Sequence, residues 1–171
     1  EEGGGAGKGG EGGGRGGGHG GGGRTGDKVT SSMASFVSES GVLKGRKVLY
    51  ADDSVPMQVI VKRIIQVCGM ECDVVSDGQQ AVDALSERGA DYDVVLMDCN
   101  MPVMDGLDAT RHIRQLGGRM AAVPVVAVTA DLGAFHRELC TAAGMDDYVR
   151  KPVRKDELVV ALLRQKGAFR T

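Results

Sequence analysis

Short apolar runs alternate with segments of helical periodicity over residues 43–166, and this alternation constrains the fold more than any other feature. The runs are rich in β-branched residues, which favour strands, and each is followed by apolar residues three or four positions apart, which favour helices. The predicted strands are residues 47–51, 72–75, 94–97, 125–128 and 148–149. Five such βα units predict an α/β domain with a doubly wound five-stranded parallel sheet and helices on both faces.

The helices are predicted from their apolar positions and from the residues that begin and end them. The first covers residues 57–68 and ends at Gly69, and the second begins at its cap Asp77 and ends at Gly89. Glycine is common directly after a helix because it readily adopts the left-handed conformation that closes the last turn. Three further helices are predicted over about residues 107–116, 134–143 and 156–165.

Glycine is concentrated at the N-terminus, where the first 26 residues contain 17 of the 28 glycines and Ala6 is the only apolar residue. Glycine loses the most backbone entropy on folding, and a segment without apolar side chains has nothing to bury. Residues 27–42 are rich in serine and show no periodic pattern. We therefore predict a flexible, disordered Gly/Ser-rich linker over residues 1–42, one folded domain over 43–166 and a C-terminal tail over 167–171.

Charge and hydropathy argue against several classes of partner. The formal net charge is −2 with both signs mixed along the chain, so no basic surface is expected for nucleic acid or for an anionic membrane. No apolar run approaches the roughly 20 residues of a membrane-spanning helix, and the chain does not start with a signal peptide. We expect a cytoplasmic domain, even if its parent protein is anchored in a membrane.

The four cysteines, Cys68, Cys72, Cys99 and Cys140, match no metal-binding pattern. None lies in a C-x2-C pair and the chain has three histidines, so a zinc site is not expected. A domain of this size folds without disulfides, and we expect reduced thiols, most of them packed in the core. Of the histidines, His136 is predicted to lie on the polar face of its helix.

Polar and charged residues follow four of the five predicted strands. Asp52 and Asp53 follow the first strand, Asp98 the third, Thr129 the fourth and Lys151 the fifth. In open α/β sheets, functional groups lie at the carboxyl ends of the strands, near the point where the strand order reverses. Three carboxylates at that edge would repel one another unless a cation lay between them, and Mg2+ is the natural choice because it prefers hard oxygen ligands. This pattern predicts a site that holds a divalent ion beside a phosphoryl group.

Four stretches carry a resemblance to a known family. They are residues 47–53 (KVLYADD), 95–106 (VLMDCNMPVMDG), 129–130 (TA) and 143–152 (AGMDDYVRKP). In this order and at these strand ends, they resemble the receiver domain of two-component response regulators over nearly all of residues 43–166. Residues 97–106 are most similar to the C-terminal receivers of hybrid sensor histidine kinases. The resemblance implies a flavodoxin-like sheet with the strand order 2-1-3-4-5.

The resemblance also implies a phosphoacceptor and a metal site. Asp98 would accept a phosphoryl group from a phosphohistidine through in-line attack by its carboxylate. Asp53, Asp98 and the backbone carbonyl of Asn100 would be ligands of Mg2+ or Mn2+, and Asp52 would act through a bound water. On this reading the domain catalyses its own aspartyl phosphorylation and dephosphorylation.

The remaining implied roles concern the phosphoryl group and the conformational switch. Lys151 would pair with one phosphoryl oxygen, while the Thr129 hydroxyl and the backbone N–H of Ala130 would bind another. Tyr148 matches the aromatic switch position, which turns inward as Thr129 moves. The Lys151–Pro152 peptide bond is expected to be cis, which would place the lysine head over the site.

These observations favour a receiver domain in a phosphorelay, as part of a hybrid histidine kinase. The expected partners are a histidine kinase domain, a histidine-phosphotransfer protein, or both, with neither nucleic acid nor membrane bound by this domain. The nearest alternative is a stand-alone single-domain response regulator. A Mg2+-dependent phosphohydrolase with an aspartyl nucleophile is a more distant alternative, suggested by the Asp98-x-Asn100 spacing. That class is expected to carry its nucleophile on the first strand, which this chain does not.

Overall fold

The computed structural model describes residues 41–169, and within them five parallel strands form one sheet in the order β2-β1-β3-β4-β5. The strands are β1 (Lys47–Ala51), β2 (Glu71–Val75), β3 (Val94–Asp98), β4 (Val125–Thr129) and β5 (Asp147–Arg150). Every residue of β3 and β4 is buried, as expected of strands covered by helices on both faces. The predicted fold class and strand order are confirmed.

Six helices lie within the described residues. They are α1 (Val55–Val67), α2 (Gly78–Arg88), α3 (Gly106–Gln115), α4 (Gly118–Ala121), α5 (Ala134–Ala143) and α6 (Lys155–Arg164), with 3-10 turns at Gly41–Leu43, Gly89–Asp91 and Lys166–Ala168. Aspartate caps begin α2 and α3, because the Asp77 and Asp105 carboxylates each accept a backbone N–H of the first turn at 2.8 Å. Gly144 ends α5 at a φ of 96°, a left-handed conformation that suits glycine.

The helices divide into two groups that cover opposite faces of the sheet. Residues of α1 and α6, such as Ile65 and Leu162, pack on the face that carries Leu96. Residues of α2, α3 and α5, such as Ile113, pack on the face that carries Met97. Because successive side chains of a strand point to opposite faces, this division also sets which way the residues after Met97 point.

The helices and strands differ from the sequence predictions at their ends, and the shortest helices were not predicted. α1 begins at Val55 because Pro56 fits the first turn of a helix, where its missing N–H costs nothing. α4 and the 3-10 turns were not predicted, since they are too short to show a periodic pattern. Phe169, in the predicted C-terminal tail, is buried in the core with α1 and α6. The predicted N-terminal linker lies outside the described residues, except for Gly41 and Val42.

No helix among residues 41–169 combines the length and the apolar character needed to cross a membrane.

Candidate functional site

Three aspartates converge where the carboxyl ends of β1 and β3 meet. β1 and β3 are neighbouring parallel strands, so Asp52 and Asp53 after β1 come close to Asp98 at the end of β3. One carboxylate oxygen from each of these residues lies within 4.8 Å of the other two. Asp52 and Asp98 are buried and Asp53 is exposed. We call these three residues the acidic cluster.

Asp52 is held in place by two hydrogen bonds, one to each of its carboxylate oxygens. The Tyr50 hydroxyl donates to Asp52 Oδ2 at 2.6 Å, and the Ser54 backbone N–H donates to Asp52 Oδ1 at 2.9 Å. Burial, together with the negative charge of Asp52, raises the pKa of Tyr50 well above its ordinary value. The phenol therefore stays protonated at all physiological pH values and remains a donor to the carboxylate.

Lys151 bridges two members of the acidic cluster. Its Nζ lies 2.7 Å from Asp98 Oδ2 and 2.8 Å from Asp52 Oδ2. Partial burial acts to lower the pKa of Lys151, but the two carboxylates outweigh it and raise that pKa above the ordinary lysine value. For Asp98 the balance is reversed, since burial raises the pKa of its carboxyl despite the opposing ammonium. The site thus holds buried negative charge that one lysine only partly compensates.

The loop after Asp98 is fixed by close backbone contacts. The Asn100 N–H donates to Asp98 Oδ1 at 3.1 Å, and the Gly106 N–H donates to the Cys99 carbonyl at 3.1 Å. A Cβ at Gly106 would lie 2.1 Å from the Asp98 carbonyl oxygen, so only glycine fits. Val103 in the same loop has a φ of 67°, which a β-branched residue adopts only under strain.

Thr129 ends β4 with its hydroxyl engaged by its own loop and by α5. Thr129 Oγ1 donates to the Asp131 carbonyl at 3.2 Å and accepts from the Asp131 N–H at 3.1 Å. It also lies 3.2 Å from His136 Nε2. Ala130, the next residue, is exposed. The Thr129 hydroxyl therefore bonds to groups on the α5 side in this conformation.

Tyr148 lies partly exposed at the surface, in contact with Arg137 of α5. Its side chain is 39% exposed, and its hydroxyl accepts a hydrogen bond from Arg137 Nη1 at 3.3 Å. The Arg137 guanidinium carbon also lies 5.7 Å from the centre of the Tyr148 ring, within the range of a cation–π contact. The inward position that the resemblance implies for an activated state is therefore not the one adopted here.

The structure brings some of the predicted site residues together and leaves others apart. Asp52, Asp53, Asp98 and Lys151 meet directly, and the Lys151–Pro152 peptide bond is cis, as the resemblance implies. The sequence analysis missed Tyr50, which lies on β1 two residues before Asp52, a spacing that puts both side chains on one face.

His136 makes a second contact that sequence reasoning missed. The sequence analysis placed it on the polar face of its helix, and the structure shows it half-buried with Nε2 3.2 Å from Thr129 Oγ1. The helical pattern gave no signal for this, because the contact depends on how α5 packs against β4.

The donor set of the acidic cluster fits a small hard cation. Carboxylate oxygens in a group this tight are the ligands that Mg2+ prefers, and they carry more negative charge than Lys151 can balance. The fold and the site together define an α/β domain with an acidic cluster at the switch point of its sheet, where the chain leaves β1 and β3 toward opposite faces.

Comparison with known proteins assigns this domain to a family. The sequence model of the response regulator receiver domain matches residues 48–163. The chain belongs to the response regulator receiver domain family.

Relatives include both kinases and stand-alone regulators. The two-component response regulator ORR41 of Oryza sativa subsp. japonica is 36% identical over 120 residues, which cover 69% of this chain and 92% of the relative. Hybrid signal transduction histidine kinase B of Dictyostelium discoideum is 30% identical over 149 residues, which cover 81% of this chain. The chain spans only 7% of the length of that kinase, and 20% of the length of two-component system protein A of Emericella nidulans.

Among solved structures, a similar one is the receiver domain of a sensor histidine kinase from Pseudomonas aeruginosa PAO1. It is 37% identical with a TM-score of 0.66, and the match covers 72% of this chain and 98% of that domain. That structure has a magnesium ion coordinated in its active-site cleft.

Proposed function

We propose that this domain accepts a phosphoryl group from a phosphohistidine on Asp98 and changes conformation in response, as the receiver of a hybrid histidine kinase. The observation that carries the proposal is the acidic cluster, in which a buried aspartate at the end of β3 is paired with Lys151 and lies beside two further carboxylates. The similarity to receivers of sensor and hybrid kinases supports the kinase context.

The chemistry follows from the positions of the side chains. An Asp98 carboxylate oxygen attacks the phosphorus in line with the leaving imidazole nitrogen, so that an O–P bond forms as the N–P bond breaks. Lys151, now 2.7 Å from Asp98 Oδ2, is placed to move its ammonium onto a phosphoryl oxygen. Tyr50 and Ser54 keep Asp52 pointed at the site throughout.

A divalent ion fits this site and completes it. Asp53, Asp98 and the Asn100 carbonyl would hold Mg2+, with Asp52 acting through a water, and we expect Mn2+ to substitute. When bound, the ion supplies positive charge that offsets the charge of the transferring phosphoryl group. Support comes from the three close carboxylates and from the magnesium ion in the Pseudomonas receiver.

The conformational response would start at Thr129. Phosphorylation places roughly two negative charges beside Lys151 and Thr129. The Thr129 hydroxyl would leave Asp131 and His136 to bind a phosphoryl oxygen, together with the Ala130 N–H. Tyr148 would then rotate inward from its present contact with Arg137, as a shift between two packed states.

An exposed apolar patch beside the site suits a docking phosphohistidine donor. Val55, Val59 and Ile60 of α1 are 65%, 65% and 48% exposed, and apolar residues exposed together can mark an interaction site. α1 begins two residues after Asp53, so a helix that carries the donor histidine and packs on this patch would be next to the acidic cluster. We define these three residues as the α1 patch.

The phosphoacceptor is tested by phosphorylation with acetyl phosphate, a small donor that needs no partner. In Mg2+ the wild-type protein should gain one phosphoryl mass, and Asp98→Asn should gain none while keeping its folded circular dichroism spectrum. Asp105→Asn is the matched control, because Asp105 is exposed and only caps α3. Equal uptake by Asp98→Asn and the wild type would overturn the proposal.

The phosphohydrolase alternative is tested on p-nitrophenyl phosphate. A receiver should show at most one slow turnover and no sustained release of p-nitrophenol, since its aspartyl phosphate is lost only slowly. Sustained turnover that depends on Asp98 would favour the phosphohydrolase instead.

The α1 patch is tested by comparing two phosphoryl donors. Ile60→Glu should slow transfer from a phosphohistidine protein about tenfold while leaving acetyl phosphate uptake unchanged, because it disturbs docking and not chemistry. Val160→Glu on α6 is the matched control, since Val160 is a similarly exposed β-branched residue on another surface, 40% exposed. Equal slowing by both variants, or slowing with acetyl phosphate, would contradict the assignment of the patch.

A further inference from the structure

Beside the acidic cluster, on the other face of the sheet, two cysteines and a histidine come together. Cys99 follows Asp98 directly, and His136 and Cys140 lie four residues apart on α5, which puts them on the same side of that helix. One potential ligand atom from each residue lies within 4.8 Å of the other two. We call these three residues the thiol cluster, and we propose that it binds one Zn2+ ion.

The distance between the two sulfurs fits a shared tetrahedral ion. Cys99 Sγ and Cys140 Sγ are 3.8 Å apart. A disulfide requires about 2.05 Å, so the two cysteines are not bridged. Two sulfurs each about 2.3 Å from a tetrahedral zinc ion are separated by roughly 3.8 Å, which matches the distance between these two sulfurs. The His136 ring supplies the third ligand, and its partial exposure leaves the fourth position to water.

The chemistry of these donors favours zinc over the magnesium expected next to it. Thiolate and imidazole are soft or borderline ligands that zinc prefers, whereas the acidic cluster offers only hard oxygen. Cys99 and Cys140 are 2% and 5% exposed, among apolar residues such as Ile113 and Met145. Two thiolates and one Zn2+ sum to no net charge, which suits such surroundings better than free thiolates would.

Metal binding also accounts for how the thiols would lose their protons. A zinc ion displaces thiol protons on coordination, and the two protons pass to solvent. The ion would lie beside Thr129, whose hydroxyl is 3.2 Å from His136 Nε2.

The test is a zinc titration in competition with a chromophoric chelator, in excess Mg2+ so that the acidic cluster is already filled. The wild-type protein should bind one equivalent of Zn2+, and Cys140→Ser and His136→Ala should each bind it at least about tenfold more weakly. Cys72→Ser is the matched control, because Cys72 is equally buried but lies away from the cluster. Asp53→Asn controls for zinc in the acidic cluster. Both controls should bind as the wild type does.

Cobalt absorption and the melting temperature give two further measurements of metal binding at the thiol cluster. Co2+ in place of Zn2+ should give a sulfur-to-cobalt charge-transfer band in the wild type that Cys140→Ser reduces. Zn2+ should raise the melting temperature of the wild type and of Asp53→Asn but not of His136→Ala, which also shows that each variant folds. If the wild-type protein does not bind one equivalent of Zn2+, the two cysteines are simply packed thiols and the proposal is overturned. Equal binding by Cys140→Ser, or loss of binding in Asp53→Asn or Cys72→Ser, overturns it as well.

Discussion

The acidic cluster and the thiol cluster contain two consecutive residues, Asp98 in the first and Cys99 in the second. The two clusters nevertheless differ in charge, ligand type and exposure. Asp98 points to the face of Leu96 and Cys99 to the face of Met97, because neighbouring side chains alternate across a sheet. The acidic cluster holds charged oxygens that Lys151 partly balances, and it is open at Asp53. The thiol cluster holds neutral sulfurs in an apolar core. The end of one strand can therefore present two unlike chemistries to two sides of the same domain.

Gly106→Ala should have the largest effect, because it disturbs the backbone that both clusters share. Its Cβ would lie 2.1 Å from the Asp98 carbonyl oxygen, a backbone atom that cannot move aside alone. We expect the free energy of unfolding to fall by about 3 kcal/mol or more. Urea denaturation measures it.

The control for this substitution is Gly167→Ala, where nothing lies within 4 Å of the added carbon. That variant should unfold as the wild type does. Unchanged stability in Gly106→Ala would show that the loop is not fixed as described.

Lys151→Met tests the difference in charge between the two clusters. It leaves Asp52 and Asp98 buried without their ammonium, and we expect a loss of about 3 kcal/mol in unfolding free energy at pH 7. Cys140→Ala removes one uncharged contact and should cost only about 1 kcal/mol. Urea denaturation of both variants at neutral pH measures the contrast.

The pH dependence of the unfolding free energy should distinguish Lys151→Met from Cys140→Ala further. Uncompensated burial raises carboxylate pKa values in the folded state, so the folded Lys151→Met protein binds protons more readily than its unfolded chain. Its deficit should therefore shrink as the pH falls toward the ordinary aspartate range, while that of Cys140→Ala stays constant. A Lys151→Met deficit that grows with acidity would contradict this account.

The acidic cluster could be predicted from the sequence because all its members share one topological position. Asp52 and Asp53 follow β1 and Asp98 ends β3, and the carboxyl ends of parallel strands lie at one edge of the sheet. Recognising five strands was therefore sufficient to bring them together.

The thiol cluster could not be predicted in this way, and the sequence analysis expected no zinc site. Cys99 follows a strand, but His136 and Cys140 belong to a helix whose rotation about its axis is set by packing. No spacing along the chain encodes the contact between α5 and the end of β3. The strained φ of Val103 was equally beyond reach, since nothing in its residue type suggests it.

Thr129→Ala should have a smaller effect on stability than Gly106→Ala or Lys151→Met but should alter the link between the site and Tyr148. Beryllofluoride, a phosphoryl mimic, should shift the amide NMR signals around Tyr148 and α5 in the wild-type protein. Without the Thr129 hydroxyl those shifts should be much reduced, because nothing then moves toward the mimic.

Thr141→Ala is the matched control for this experiment. The Thr141 hydroxyl only donates to the Arg137 carbonyl on the exposed side of α5, so this variant should respond as the wild type does. If the shifts around Tyr148 persisted in Thr129→Ala, the proposed coupling would be wrong.

The central claim is that Asp98 is the phosphoacceptor, and its most direct test is to locate the phosphoryl group in the wild-type protein. After transfer from a phosphohistidine donor, borohydride reduction converts an aspartyl phosphate to homoserine, whose position tandem mass spectrometry reads. Homoserine at position 98, and no phosphoryl group on the thiol cluster, is the result that this account predicts. Homoserine at another aspartate, or a phosphoryl group on His136 or Cys99, would contradict it.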